Sequence, residues 1–436
     1  MNLSQLQGLL TAAGCVQVFV KVLAKNDNKK QQVYFGTNFA SLNLFPHGEI
    51  TPSEDPTKVI MNAALQFGWL QPNGAVVPAP GAQIILYPQY PEVRFSGFLD
   101  GCEQAPSELM TARQAGRVLF LGITKAKQIV GFVTAPGSPL AQEFLALGRK
   151  KSVGVFYELP LPTLTTAAEA RARLLVELGR IHRLQWIDSK ALRSDGTVEP
   201  CLVSQCGGFT LEAELGIPKN SSAEPDFLGW EVKQHSVTSF ARPDSSSAIT
   251  LMTPEPTGGF YKEQGVEAFI RKFGYPDKNG KPDRLNVGGV HRTGERQAST
   301  GLTMQLTGYD FAKGKITDAS GAIALVSDAG EVAAAWAFSG LLAHWSRKHM
   351  RAAYVPSMRR TDPHWQYAYG GRVRLAQQTD GLRLLKALAS GAVYYDPGIK
   401  LEHASTAKPA AKKRSQFRVA SKNITALYQT VEMVEV

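Results

Sequence analysis

Apolar and polar positions alternate in short runs through the first third of the chain. Val16 to Val22 (VQVFVKV) alternates and is rich in β-branched residues, which predicts a strand. A polar turn, Lys25-Asn26-Asp27-Asn28, precedes a second candidate, Gln31 to Phe35. Ile84 to Tyr87, Val93 to Phe98, Val118 to Ile123 and Gln128 to Thr134 continue the series. Several short strands separated by Pro, Gly and Asn turns predict a compact β-barrel or sandwich.

The pattern changes near residue 160. Leu159-Pro160-Leu161-Pro162 reads as a stiff connector, and the helix after it is capped by Thr165 or Thr166, with Glu169 at capping-box spacing from Thr166. Leu174, Leu175, Leu178 and Ile181 give that helix one apolar face. The pattern is mixed α/β from there on. A long helix is expected from Val332 to about His349, running into a short strand, Ala352 to Val355. These changes divide the chain into a β-rich domain over 1–150, a linker over 151–164 and an α/β domain over 165–436. Two domains fit 436 residues.

Composition excludes some classes. Hydrophobic residues at 44% and charged residues at 19% are ordinary for a folded soluble protein. The most apolar N-terminal stretch, Gly14 to Ala24, is broken by Gln17 and Lys21, and no apolar run long enough to span a bilayer follows. A soluble, cytoplasmic protein without membrane association is the expectation. Cys15, Cys102, Cys201 and Cys206 are too few for a disulfide scaffold and lack zinc-site spacing, so reduced thiols are expected. The net charge of +11 points to a polyanionic partner. Lys408, Lys412, Lys413, Arg414, Arg418 and Lys422 fall between Ala404 and Lys422 without an acid. Arg347, Lys348, Arg351, Arg359 and Arg360 form a second acid-free run with His344 and His349. Two such runs suggest a surface that follows phosphates, although a solvated face accounts for either alone.

The segment Gly207 to Gln234 carries the candidate chemistry. Pro225-Asp226 is followed by Glu231-Val232-Lys233. Residues two apart in a strand share a face, so Glu231 and Lys233 project together, with Asp226 brought in from the strand's start or a bend before it. Two carboxylates suit Mg²⁺, the Val232 carbonyl offers a further ligand, and the lysine suits orienting water and stabilising charge on phosphate. The flanking Phe227, Leu228, Trp230 and Val232 suit a buried strand. The alternative is an exposed strand with a Glu/Lys surface pair. Upstream, Thr210 to Leu215 predicts a helical turn capped by Thr210, in which Glu212 and Glu214 cannot face the same way.

This segment resembles the catalytic core of the MvaI/BcnI restriction endonucleases, of the PD-(D/E)xK superfamily, over roughly residues 165–436. A Gly and an apolar residue lead into a helix bearing Glu212, and Pro225-Asp226-Phe227, Glu231 and Lys233 follow. The resemblance implies Glu212, Asp226, Glu231 and Lys233 as the catalytic and metal-binding set, Mg²⁺ as cofactor, double-stranded DNA as substrate and a three-layer fold with a central mixed sheet. Ala335 to Ser339, the helix end at Lys348-His349 and the strand after it follow the family's order. Gly391 to Val419 resembles the base-recognition segment, with Asp396, His403 and Arg418 at matching places. Gly398 stands where one member has an arginine, and Lys400 is the candidate to compensate. Arg414 and Arg418, four apart, would share a face of an extended strand and read guanine or contact phosphates. The Lys348-His349 pair is a further candidate for DNA contact, with a cap or packed side chain as the alternative for His344 and His349; His291-Arg292, in a Gly-rich stretch, reads as a DNA-contacting loop or merely a loop.

Lys21 to Asp27, Gln32-Val33 and Leu44-Phe45-Pro46 resemble the start of the EcoRII effector-binding domain, a B3-like pseudobarrel that grips DNA with two arms. The resemblance implies one arm with Lys25, Asn26, Lys29, Lys30 and Gln31, and Arg94 on the other. An ordinary polar hairpin loop is the alternative. The expected activity is a Mg²⁺-dependent, type II, site-specific phosphodiester hydrolase of DNA. Monomeric action, effector stimulation and a methyltransferase on a separate chain go with it. The other readings are a modification-dependent or nicking endonuclease, and a DNA-binding regulator with an inactive core, which the intact Asp226, Glu231 and Lys233 argue against.

Overall fold

The computed structural model describes every residue except 26–30, 56, 149, 162–166, 204, 220–223 and 243–247. The arm candidates Asn26, Lys29 and Lys30, the connector's Pro162 and the capping candidates Thr165 and Thr166 lie outside the described residues. The chain divides into two compact units, Met1–Ala167 and Ala168–Val436. No helix among the described residues is long and apolar enough to cross a membrane.

Two sheets build the first unit. The larger runs, in spatial order, Lys151–Val153, Phe156–Glu158, Cys15–Leu23, Arg117–Thr124, Ile129–Thr134, Phe67–Leu70 and Val76–Pro78. The smaller runs Val33–Thr37, Glu92–Ser96, Gln83–Tyr87, Met61–Ala64 and Thr51–Pro52. Among the described residues the strands do not close into a barrel. The sheets meet instead through rings: Phe67 and Phe95 lie 5.1 Å apart and Phe35 and Phe156 5.0 Å, with Phe45, from outside both sheets, 5.5 Å from Phe19. Val18 and Val20, alternating with Phe19, face the helices Leu3–Ala12 and Pro139–Ala146 through Leu6, Leu10 and Phe144. The strand Cys15–Leu23 is therefore buried on both faces, which suits its β-branched residues. The first half of the expected linker, 151–158, belongs to this sheet, because Phe156 completes the aromatic core.

The second unit is mixed α/β and centres on a mixed sheet. Arg351–Arg360 is its middle strand. Glu231–Ser236 lies on one side of it, parallel, from Glu231 opposite Ala352 to Ser236 opposite Ser357. Gln366–Tyr369 and Arg372–Gln377 lie antiparallel on the other side, a two-residue register change at Gly370-Gly371 separating them. Ile187–Asp188 and Thr430–Glu435 pair outside these. One face packs Trp230, Val232, Ala353, Val355, Tyr369 and Leu375 against Leu174, Leu178 and Ile181 of the helix Ala167–Arg183 and Leu211 of the helix Cys206–Glu214. On the opposite face Tyr354 meets Tyr428, which lies against Trp345 of the helix Phe338–Lys348.

Three sequence expectations need correction here. Val332 to His349 is not one helix: Val332–Ala337 is a strand paired with Ala322–Ser327, and the helix begins at Phe338. The alanines of this run favour helix, but cross-strand packing of Ala334 and Trp336 overrides that preference. Thr210 is not a cap, since the helix starts four residues earlier at Cys206. The Thr210 hydroxyl donates instead to the Lys190 carbonyl and accepts from the Lys190 N–H, both at 3.1 Å. Cys201 and Cys206 are joined in a disulfide, because the turn into this helix brings their Cα atoms to 5.7 Å. Cys15 and Cys102 remain free.

Leu178 and Val176 sit on the same helix but differ in burial, 2% against 66% exposed. Leu178→Ala should cost about 2–5 kcal/mol of stability, and Val176→Ala should stay within about 0.5 kcal/mol. Denaturant midpoints of the two variants check this contrast.

Candidate active site

A tight turn positions the acids. Phe227 and Trp230 pair across Leu228 and Gly229, whose φ angles are 47° and 82°. Positive φ at both central residues is the turn geometry that matches strand twist, and glycine supplies the second position without steric cost. Leu228 adopts the same region against its side-chain preference. The turn folds Asp226 back onto the start of the strand, where its Oδ2 accepts from the Val232 N–H at 2.8 Å. Trp230 and Val232 are buried in the core, while Glu231 and Lys233, of opposite parity, project from the other face.

Glu231 is only 1% exposed, and its Oε1 lies 2.6 Å from Lys233 Nζ. Its Oε2 accepts no hydrogen bond among the described residues, with the Lys348 ammonium 3.7 Å away. Burial pushes the Glu231 carboxyl up, but the positive charges of Lys233 and Lys348 and the Lys233 hydrogen bond outweigh it and hold the group below its usual range. Asp226 shows the opposite balance. Burial, reinforced by the charge of Glu231, pushes it up to about 7. Glu212 is raised mainly by burial and feels Lys233, Glu231 and Lys348. Glu214 faces elsewhere, bound to Lys190 at 2.6 Å and Arg180 at 3.2 Å. The two glutamates thus diverge on their helix, as their spacing requires.

This donor set suits a hard divalent cation. Asp226 is destabilised as a second negative charge beside Glu231, and Glu231 keeps an unused buried oxygen; both effects are relieved by a nearby cation. Three His, Cys, Asp or Glu groups do not close on one point among the described residues. Asp226, Glu231 and the Val232 carbonyl are the candidates to hold an ion, with Glu212 beside them.

The structure scatters the other candidates. Lys348 points into the acid cluster rather than outward. His349 is not a DNA-facing group: it is fully buried, stacked on Trp345 at 4.0 Å, with burial lowering its pKa to about 3. His291 is likewise a satisfied core histidine, its ring bonded to the Gly289 carbonyl and the Thr300 hydroxyl at 2.9 Å each. The run from His344 to Arg360 does not form one surface. The strand Arg351–Arg360 spreads it over roughly 30 Å, and Arg359 and Arg360 stack on Trp365 and Trp186.

Arg414 and Arg418 do not share a strand, because Phe417–Ala420 begins after Arg414. Arg414 is exposed and lies over Gly398. Arg418 binds Asp396 Oδ2 at 2.6 Å and the Ala248 carbonyl at 2.9 Å. Lys400 lies 3.5 Å from Glu402, and His403 is exposed with φ 57°. In the first unit Lys25 and Gln31 are exposed, whereas Arg94 is held by Glu92 and lies over the Tyr34 ring at 5.1 Å. The sequence reading missed Lys348 as an acid-cluster residue; its position at a helix end directly before the strand paired to Glu231 is the signal that places it there.

Breaking a buried ion pair by removing one partner costs about 3–5 kcal/mol. Lys233→Met should therefore destabilise the protein strongly. Lys233→Met combined with Glu231→Gln should destabilise it by less than the sum of the single changes, as a double-mutant cycle in denaturant will show.

A sequence model of the MvaI/BcnI restriction endonuclease family matches residues 175–428, more than half of the chain. The solved structure of restriction endonuclease MvaI with its cognate DNA is 15% identical, with a TM-score of 0.47, covering 62% of this chain and 99% of that one. MvaI in the absence of DNA is 14% identical, with a TM-score of 0.34, covering 62% and 100%. No curated protein matches the chain. On the strength of the family match across Asp226, Glu231 and Lys233, the chain belongs to the MvaI/BcnI restriction endonuclease family.

Proposed function

We propose that this family member is a Mg²⁺-dependent, type II, site-specific endonuclease of the PD-(D/E)xK kind that hydrolyses phosphodiester bonds of double-stranded DNA. One observation carries the reading. A two-residue turn brings the Asp226 carboxylate onto the Val232 N–H, and the strand period sets the buried Glu231 against Lys233 on either side of that residue. Asp226 and Glu231, with the Val232 carbonyl and Glu212, would hold the ion, which would supply Lewis-acid polarisation of the phosphate when bound. Lys233 has three N–H donors. One holds Glu231, and the others are available to orient the attacking water and to stabilise negative charge on the phosphate. Glu231 fixes the ammonium in place, so little reorganisation is needed during the reaction. Asp396, Lys400, His403, Arg414 and Arg418 supply the DNA-facing side chains of the C-terminal region.

The first unit serves in this reading as a second, B3-like DNA-binding module that stimulates cleavage. Lys25 and Gln31 offer its polar contacts, with Arg94 released from Glu92 on binding. The enzyme acts as a monomer and is accompanied by a methyltransferase on another chain.

Asp226→Ala should lower Mg²⁺-dependent plasmid cleavage by on the order of 10³-fold or more, while duplex binding measured in Ca²⁺ stays within a few-fold of wild type. Equal cleavage by the variant and wild type would sink the proposal. Sequencing the cut ends gives the site. Adding a short duplex that carries this site to the full-length enzyme should then accelerate cleavage of a single-site plasmid. An unchanged rate over a range of duplex concentrations rules out the effector role.

A further inference from the structure

Away from the acid cluster, the second unit has a cleft of about 640 Å³ whose walls include Arg292, Glu295, Ser390, Tyr394, Lys422 and Asn423. We propose that this cleft takes one backbone phosphate of duplex DNA, clamped between Arg292 and Lys422. The ligand's identity rests on the endonuclease reading; the anion site itself rests on the following geometry.

His291 and Tyr395 exchange backbone hydrogen bonds, N–H to carbonyl at 2.8 and 3.0 Å. Extended backbone alternates its side chains. The same bridge that buries His291 therefore turns Arg292 outward, over the ring of Tyr394, with its guanidinium carbon 4.9 Å from the ring centre. A notch holds the arginine stem. Gly391 has φ 72°, and a Cβ there would come within 3.3 Å of Arg292 Cδ. Glycine at 391 thus serves both the turn and the arginine. An arginine laid on an aromatic ring along a fitted groove loses little freedom when it binds an anion.

The charges are uncommitted. Neither Arg292 nor Lys422 has a carboxylate partner among the described residues, whereas nearby cations do. Arg418 binds Asp396, Lys412 binds Glu402, and Arg296 binds Asp328. Two cations face one carboxylate, Glu295, leaving a surplus of one positive charge. The Asn423 amide adds a neutral donor. A surplus of one matches the single charge of a phosphodiester. Arginine, lysine and asparagine are also among the side chains that meet DNA phosphates. The cleft adjoins the candidate recognition residues, since Tyr394 pairs with Arg418 across neighbouring strands. A duplex whose bases reached Asp396 and Arg418 would bring its backbone past Arg292.

Salt dependence tests the clamp. A random-sequence DNA duplex is titrated with the full-length protein in Ca²⁺ over a series of KCl concentrations. Arg292→Gln and Lys422→Gln should each weaken binding and lower the slope of log affinity against log salt, and the double variant should lower it by about 0.9, the value for one lost phosphate contact. Arg292→Lys should keep the slope. Arg296→Gln, which removes a cation already neutralised by Asp328, should leave it unchanged. Wild-type slopes in both cleft variants, or an equal loss in Arg296→Gln, overturn the clamp while leaving the endonuclease reading intact. A loss confined to particular base sequences overturns it too, in favour of base reading. Failure of the wild-type protein to bind duplex DNA at all removes the endonuclease reading and the clamp together.

Discussion

A carboxylate shut away from water is stable as a charge only where cations meet it. Glu231 is such a group, and the second unit is organised around meeting it. Lys233 comes from the same strand, two residues on, and Lys348 from the last turn of a separate helix. That helix runs straight into the strand that pairs with Glu231, so the second cation and the acid are locked by the same parallel ladder. The core on the other face, through Trp230 and Val232, fixes the height of the strand. At Asp226 burial and the charge of Glu231 outweigh the Val232 hydrogen bond and the charges of Lys233 and Lys348, and push the carboxyl up to about 7. This asymmetry between neighbouring carboxylates is the electrostatic character of the site.

Charge elsewhere in the chain is organised differently. Many cations are locally answered, as Arg418 is by Asp396 and Arg180 by Glu177 and Glu214. Other arginines lie flat on indole rings, as Arg359 and Arg360 do. A basic composition therefore overstates the surface free to attract DNA. Cations without a carboxylate, such as Arg292, are the informative ones, because an unneutralised charge keeps its field for a ligand. In the first unit the same logic applies to Arg94, which is occupied by Glu92 and Tyr34.

Much of this was legible beforehand. The strands of the first unit follow from alternation and β-branching. The helix with Leu174, Leu178 and Ile181 follows from its apolar face. The shared orientation of Glu231 and Lys233 follows from the strand period, and the divergence of Glu212 and Glu214 from the helical one. Periodicity served poorly where two structures suit the same residues. The alanine run at 332–337 carries no period that separates strand from helix, and only its pairing with Ala322–Ser327 makes it a strand. Histidines were misread for a related reason. A ring with two polar nitrogens looks functional in sequence, yet His291 finds both partners within the protein.

Local order along the chain, by itself, settled which residues can share a face, where turns fall and which acids neighbour one another. These depend on backbone periods of two and 3.6 residues, which operate over a few residues at a time. Tertiary structure alone decided what each face meets. It put Lys348, far along the chain, beside Glu231, joined Cys201 to Cys206, buried His349 and laid Arg292 over Tyr394. Burial and charge pairing depend on distances through space between remote segments, and no spacing within a segment encodes them.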